Sequence, residues 1–187
     1  MGTPKLRDPI TTVEELLALP DDGLRHELLD GEHVVTPAPA LLHQRAVGKL
    51  FRALGEYLDA REDLEAFSSP ADVILGPRIL VQPDVFVARV PPGGRLRKWQ
   101  DVGVPVLAIE ILSPGTASRD RGMKRVIYQR EGVAEYWIVD LDARLVERWR
   151  PGEERPEILR ETLAWGAGGK PFDLDLPVFF TAVLGEP

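Results

Sequence analysis

The chain has 187 residues, of which 44% are hydrophobic and 28% are charged, and it contains no cysteine. This composition is typical of a globular protein, and the missing cysteines exclude disulfides, thiolate nucleophiles and cysteine-ligated zinc. The net charge of −7 argues against a long basic groove for nucleic acid. No Pro/Gly/Ser-rich spacer divides the chain, so we expect a single domain over residues 1–187. Because neither a bilayer-length apolar run nor a signal-peptide pattern is present, we expect a cytoplasmic location and no membrane partner.

The first 60 residues predict two helices and a hairpin. Thr12 and Glu15 form a capping-box pattern ahead of a leucine-rich segment, which predicts a short helix. The segment RHELLDGEHVV has an Asp-Gly turn signal between two extended runs and predicts a hairpin. Apolar residues then recur at helical spacing from Leu41 to about Ala60, the pattern of a long amphipathic helix.

Strand patterns dominate the middle of the chain. The runs EAFSS, ADVIL and ILVQPDVFVARV are separated by proline and glycine, and they predict strands that follow one another as a meander. The later run VPVLAIEIL is almost continuously apolar. A strand of that kind is typical of the centre of a sheet that is covered on both faces.

The remaining elements predict an α/β (α+β) fold. A helix over about 119–131 and the buried strand EYWIVD follow VPVLAIEIL, which predicts a strand–helix–strand crossover. The tail contains RLVERWR, PEILRET and PVFFTAV. We interpret these segments as added hairpin strands and a closing segment.

Two acidic residues interrupt apolar strands. Glu110 lies within VPVLAIEIL, and Asp84 is followed by valine, phenylalanine and alanine. An ionised carboxylate is costly to bury without a partner or a metal ion. Acids on adjacent strands can share a divalent cation, and Mg²⁺, or alternatively Mn²⁺, prefers such oxygen ligands. We therefore predict a metal site at Asp84 and Glu110.

Lys124 is one of five lysines in the chain, and the helix after the Glu110 strand would carry it back over the strand end. There its cation would orient an attacking water or stabilise the charge that develops on a phosphate. A purely structural alternative stays open. In that alternative, Asp84 and Glu110 form salt bridges with arginines, and Asp120 pairs with Lys124 at helical spacing.

The motifs PDV, EILSP, RDRGMKRVIY and GVAEYWIVD, in this order, resemble the Uma-two family of endonucleases, a branch of the PD-(D/E)XK restriction-endonuclease-like superfamily. The resemblance extends from about His26 to about Asp140. It implies a restriction-endonuclease-like core, with a mixed sheet flanked by helices. It also implies Mg²⁺-assisted hydrolysis of nucleic-acid phosphodiester bonds, with DNA as the substrate.

The resemblance also assigns residues. Asp84 and Glu110 correspond to the motif acids, and Glu27 corresponds to an N-terminal acidic position that supplies a further metal ligand or a supporting contact. The superfamily lysine usually lies two residues after the second acid, where this chain has Leu112. The resemblance suggests that Lys124 replaces it. Glu27 is equally consistent with an ion pair at a hairpin edge.

Three other features have competing interpretations. His43 lies near the start of the long helix, and we favour a surface or helix-end role over metal ligation, because the histidines lack metal-site spacing. Tyr136 and Trp137 fit the core better than base stacking. Two basic stretches are consistent either with phosphate binding or with solvated surface charge. They consist of Arg95, Arg97 and Lys98, and of Arg119, Arg121 and Arg125.

Three functions follow from these patterns. The first is an Mg²⁺-dependent endonuclease, for which a homodimer would supply two active sites to cut both strands. The second is a non-catalytic nucleic-acid- or protein-binding module on a degenerate nuclease fold, which Leu112 and the acidic charge favour. The third is a hydrolase of small phosphoesters.

Overall fold

The structure is a computed structural model that describes residues 9–36, 38–166 and 171–185. Residues 1–8 lie outside this part, and the expectation that no signal peptide is present depends largely on them. The helices are α1 (Val13–Leu17), α2 (Leu41–Leu58), α3 (Ala117–Arg119), α4 (Arg125–Arg130) and α5 (Leu176–Leu184), and a π-helical turn (Asp120–Lys124) joins α3 to α4. Within the described ranges, no helix is both long and apolar enough to cross a membrane.

Twelve strands are present in the described residues. They are β1 (Arg25–Leu29), β2 (Glu32–Thr36), β3 (Leu64–Ser68), β4 (Val73–Gly76), β5 (Ile79–Val81), β6 (Val85–Arg89), β7 (Leu107–Ile111), β8 (Glu135–Asp140), β9 (Leu145–Trp149), β10 (Glu157–Leu159), β11 (Thr162–Trp165) and β12 (Phe172–Asp175). The predicted N-terminal helix, hairpin and long helix are confirmed as α1, β1–β2 and α2.

The central sheet has six strands in the order β10-β9-β8-β7-β6-β3. Strands β7 and β8 are parallel, and the other neighbours are antiparallel. A parallel pair needs a crossover connection, and the helical segment from α3 to α4 supplies it. The predicted strand–helix–strand unit and the mixed sheet flanked by helices are therefore confirmed.

The two faces of the central sheet carry separate hydrophobic clusters. Val85 and Val87 point to the face covered by α2 and α5, whereas Phe86 and Ala88 point to the face covered by the other large sheet and α4. Successive side chains alternate between faces, and burial of each large apolar side chain stabilises the fold by about 1.5–3 kcal/mol. Coverage of both faces explains why the central strands are almost continuously apolar.

The predicted meander is wrong. Strands β4 and β5 belong to a second, antiparallel sheet in the order β2-β1-β5-β4, while β3 pairs with β6 in the central sheet. The run ILVQPDVFVARV is in fact two strands in two sheets, β5 and β6. Pro83 lies between them and has no backbone N–H to continue a strand ladder, which explains the break.

The tail contains the predicted added strands, but the closing segment is a helix. RLVERWR and PEILRET contain β9 and β10, and β11 pairs with β12 as a further hairpin. The Asp175 side chain accepts a hydrogen bond from the Val178 amide and caps α5. Leu176, Phe179, Phe180 and Val183 are buried at helical spacing, so α5 closes the core beside α2.

Candidate active site

Strand register brings Asp84 and Glu110 together. Strands β6 and β7 are antiparallel with Val85 opposite Ile109, so the next step of the register places Asp84 opposite Glu110. Both residues are one position away from side chains that face α2, and alternation turns them to the other face. The Ile111 amide donates to Asp84 Oδ2 at 2.9 Å, which ties the two strand ends together.

Glu27 and Lys124 reach the same point from different elements. Glu27 lies on β1, and its Oε1 accepts a hydrogen bond of 2.8 Å from the Gln82 amide. Lys124 Nζ lies 2.8 Å from Glu27 Oε1 and 2.8 Å from Glu110 Oε1. The structure therefore brings all four predicted site residues into one buried cluster. The alternative in which these acids form structural ion pairs is also supported, because Asp84 pairs with Arg25, although Glu110 pairs with Lys124 rather than with an arginine.

The π-helical turn sets the position of Lys124. Asp120 and Lys124 are its first and last residues, both are buried, and Asp120 Oδ1 lies 3.9 Å from Lys124 Nζ. The Tyr136 hydroxyl donates to the Asp120 carbonyl oxygen at 3.1 Å and so fastens the turn to β8. Isolated π turns within helices are frequent at functional sites.

Leu112 leaves the usual superfamily lysine position without a cation. Its backbone amide donates to the Val139 carbonyl oxygen, and its side chain packs on the hydrophobic cluster beneath the second sheet. The cationic group at Glu110 is thus supplied by a helix rather than by the strand.

Both carboxylate oxygens of Asp84 are engaged. Arg25 Nη1 lies 3.1 Å from Oδ1, and His43 Nε2 lies 2.9 Å from Oδ2. Burial opposes ionisation of this carboxyl, but the hydrogen bond and charge of His43 and the charge of Arg25 outweigh it and lower its pKa. Arg25 is two residues from Glu27 on the same strand, so strand alternation was the signal that could have identified it.

The preferred surface role of His43 is wrong. The residue does lie in the first turn of α2, but its side chain is buried against Asp84. The signal was present in the sequence, because His43, Ala46, Val47 and Leu50 share one face at helical spacing and all are buried. Tyr136 and Trp137, in contrast, are buried in the core as predicted.

The cluster contains more carboxyl groups than permanent cations. Its carboxylates are Glu27, Asp84, Glu110 and Asp120, and its permanent cations are Arg25 and Lys124. Burial raises the pKa of Glu110 well above its ordinary value, and repulsion from neighbouring carboxylates adds to this effect against the attraction of Lys124. Burial opposes the charged form of Lys124, but attraction to Glu110 and Glu27 prevails and raises its pKa. Lys124 is therefore a firmly protonated ammonium group.

The donor chemistry suits a hard divalent cation. Asp120 Oδ1 is buried and accepts no hydrogen bond from any described residue, and burial together with nearby carboxylates raises the pKa of Asp120. Across the described residues, no group of three or more histidines or acids is arranged as a metal cage. Mg²⁺ does not require one, since it binds through one or two carboxylates and keeps several waters. Asp84 and Glu110 fit that requirement.

A cavity of about 230 Å³ opens onto this cluster, and its lining includes Ser113 and Thr116 beside the charged residues. It is smaller than the roughly 300–1,000 Å³ of pockets that enclose drug-sized ligands. Larger clefts of about 740 Å³ and 450 Å³ lie beside the loop after β6, and none of the four predicted site residues lines them. The smaller cavity is therefore the one that contacts the predicted site residues.

None of the six basic residues of these two stretches lines this cavity. Arg97 and Lys98 follow the far end of β6 and line the 450 Å³ cleft. Arg121 pairs with Asp140 and Glu147. The guanidinium group of Arg125 lies 4.7 Å from the centre of the Trp149 ring. The surface-charge and structural interpretation is therefore the better one for these residues, and Arg25 and Lys124 are the cations at the cavity.

Comparison with known proteins identifies the family. Residues 13–167 match the family model Uma2, described as "Putative restriction endonuclease". The fold resembles a crystal structure titled as a putative nuclease belonging to DUF820 from Anabaena variabilis ATCC 29413, with a TM-score of 0.75 and 21% identity over 92% of this chain and 99% of that chain. No curated protein matches. Because the family model covers most of the chain, this protein belongs to the Uma2 family of restriction endonuclease-like proteins.

Proposed function

We propose that this protein is a metal-dependent nuclease that hydrolyses phosphodiester bonds in DNA. The observation that carries the proposal is the convergence of Asp84, Glu110 and Lys124 on one small cavity, from two adjacent strands and the following helix. Two carboxylates with a nearby ammonium group are suited to phosphoryl chemistry, which depends on positioning and charge stabilisation. Membership in the Uma2 family supports the same reaction class.

Asp84 and Glu110 would hold Mg²⁺ or Mn²⁺, and Glu27 would support the site through the contact of its Oε1 with Lys124 Nζ. A bound divalent cation supplies charge neutralisation at the phosphate and activation of the attacking water. Asp84 is suited to the task because its lowered pKa keeps it ionised. Glu110 and Asp120, whose pKa values are raised, are the carboxyls whose ionised forms a cation would stabilise most.

Lys124 would stabilise the negative charge that develops on the phosphate. Its raised pKa keeps the amine protonated at neutral pH, so it acts as a cation and hydrogen-bond donor rather than as a general base. Its helix delivers Nζ to Glu110 Oε1 at 2.8 Å. This distance supports the view that the helical Lys124 takes over the task of the superfamily's strand lysine, whose position is occupied by Leu112 in this chain.

A nucleic-acid substrate has to overcome the net charge of −7. A bound metal ion offsets the acids of its own site, and Arg25 and Lys124 add positive charge there. The small cavity would admit the scissile phosphate while the bases stay outside. DNA is chosen over RNA because the family description names restriction endonucleases.

One observation favours a second candidate, a non-catalytic binding module. Lys124 Nζ contacts both Glu27 and Glu110, so these acids are satisfied within the protein. A module of this kind would bind nucleic acid or protein without taking up Mg²⁺ at Asp84 and Glu110. Titration with Mn²⁺, followed by calorimetry, separates the two candidates.

The test is cleavage of labelled single- and double-stranded DNA in Mg²⁺, Mn²⁺ or EDTA. We expect metal-dependent cutting that Glu110→Gln abolishes and that Lys124→Met lowers by at least about 100-fold. Lys49→Met is the matched control, because Lys49 is exposed on α2 and should leave the rate unchanged. Circular dichroism establishes that each variant is folded. Absence of cutting by the wild type in every metal contradicts the proposal, and turnover of a small phosphodiester alone would indicate the small-substrate hydrolase.

A further inference from the structure

His43 contacts the candidate metal site but has no task in the mechanism above. Its Nε2 lies 2.9 Å from Asp84 Oδ2, and a carboxylate oxygen accepts, so Nε2 donates. The same carboxylate receives Arg25 from β1 and the Ile111 amide from β7. Three different elements therefore converge on one side chain.

We propose that His43 is a positioning residue that fixes the carboxylate of Asp84 for the divalent cation. The inference rests on the proposed function, since it concerns the same site. The terminal torsion of an aspartate is broad, so each donor to the carboxylate narrows the range of orientations that it samples. His43 and the Ile111 amide share Oδ2 while Arg25 contacts Oδ1, and together they restrict the carboxylate. A residue that preorganises a metal ligand in this way raises the metal affinity without touching the metal itself.

The position of His43 on the helix supports this role. The residue lies in the first turn of α2, whose buried residues Ala46, Val47 and Leu50 anchor that turn in the core. The helix is thus rigid where it presents the ring to Asp84. Arg25 contacts the other oxygen from β1, so donors from two separate elements hold the two carboxylate oxygens.

The second ring nitrogen indicates that the ring is held for Asp84 rather than for general stability. Nδ1 of His43 is buried and has no hydrogen-bond partner among the described residues. Burial of a polar atom without a partner disfavours the folded state, and an apolar side chain at this position would avoid that cost. The hydrogen bond from Nε2 is the polar contact that orients the ring.

Two amide substitutions test the proposal with matched chemistry. In His43→Gln the amide nitrogen takes the place of Nε2, whereas in His43→Asn it reaches only as far as Nδ1. Mn²⁺ affinity of the full chain is measured by calorimetry without nucleic acid. We expect His43→Asn to raise the Kd by about 10- to 100-fold, and His43→Gln to stay within about threefold of the wild type.

A second readout distinguishes positioning from general structure. Cleavage by His43→Asn should recover at high Mn²⁺ concentration, because the lost property is affinity. Equal Kd values for the wild type and both variants would overturn the inference and leave the nuclease proposal intact. A wild type that neither binds Mn²⁺ nor cuts DNA would overturn the nuclease proposal, and the inference with it. If His43→Asn does not fold, His43→Leu replaces it in the same comparison.

Discussion

Two ion-pair clusters in this molecule have similar distances and very different surroundings. Lys124 Nζ lies 2.8 Å from both Glu27 and Glu110, and these side chains are at most 4% exposed. Arg130 contacts Asp30 through two nitrogens at 2.6 and 3.0 Å, but both side chains are nearly half exposed. Distance alone therefore does not determine how much an ion pair contributes to stability. Solvent screens the Arg130 pair, whereas the Lys124 cluster has to balance its own charge.

Removal of Lys124 should have the largest effect on the free energy of unfolding. Lys124→Met leaves Glu27 and Glu110 as buried acids without their cation, and removal of one member of a buried pair costs about 3–5 kcal/mol. Urea unfolding at pH 7 in EDTA measures the loss. The deficit should shrink as the pH falls and the acids become protonated. A loss below 1 kcal/mol at pH 7 would mean that water already compensates these carboxylates.

Glu110→Gln should act in the opposite direction. The pKa of Glu110 in the folded protein is raised above its unfolded value, so its contribution to stability is fully present below the unfolded pKa and is lost as the pH rises through the folded pKa. Removal of the charge should therefore stabilise the protein by about 1–2 kcal/mol at pH 7, and by less near pH 4. Urea unfolding in EDTA at both pH values provides the measurement. Equal stability changes at the two pH values would show that Glu110 titrates normally.

A divalent cation should stabilise the folded state through the buried cluster and not through the exposed pair. If Mn²⁺ binds at Asp84 and Glu110, a concentration ten times the Kd should stabilise the folded state by roughly 1.4 kcal/mol. Thermal unfolding with and without Mn²⁺ detects this shift. Asp84→Asn should abolish it while Arg130→Gln retains it. The same shift in Asp84→Asn would assign the metal to another site.

Much of this arrangement could be predicted from local patterns. Asp84 and Glu110 stood out because an acid in an apolar strand needs a partner, and the helix after β7 accounted for Lys124. The resemblance to the Uma-two family added Glu27 and the mixed-sheet core, and the family match and the fold comparison confirm the family and that core. The roles of these residues remain predictions.

Other features depended on long-range packing. Pro83 divides one apolar run between two sheets, and only the pairing of β5 with β1 reveals it. The spacing of the histidines does not reveal the buried position of His43. The helical face that His43 shares with Leu50 does indicate it. The π turn cannot be read from the spacing of Asp120 and Lys124, since an α-helix puts residues four apart on one face as well.

The smallest effect is expected at the exposed pair. Arg130→Gln removes the bidentate contact with Asp30, but double-mutant measurements on exposed pairs give about 0.2–1 kcal/mol because water and salt screen the charges. The free energy of unfolding should therefore fall by less than about 1 kcal/mol at low salt, and by still less in 1 M NaCl. DNA cleavage should not change, since Arg130 does not line the cavity at Asp84. A loss comparable to that of Lys124→Met would show that the pair is structurally as important as the buried cluster, and exposure would then fail as the criterion that separates them.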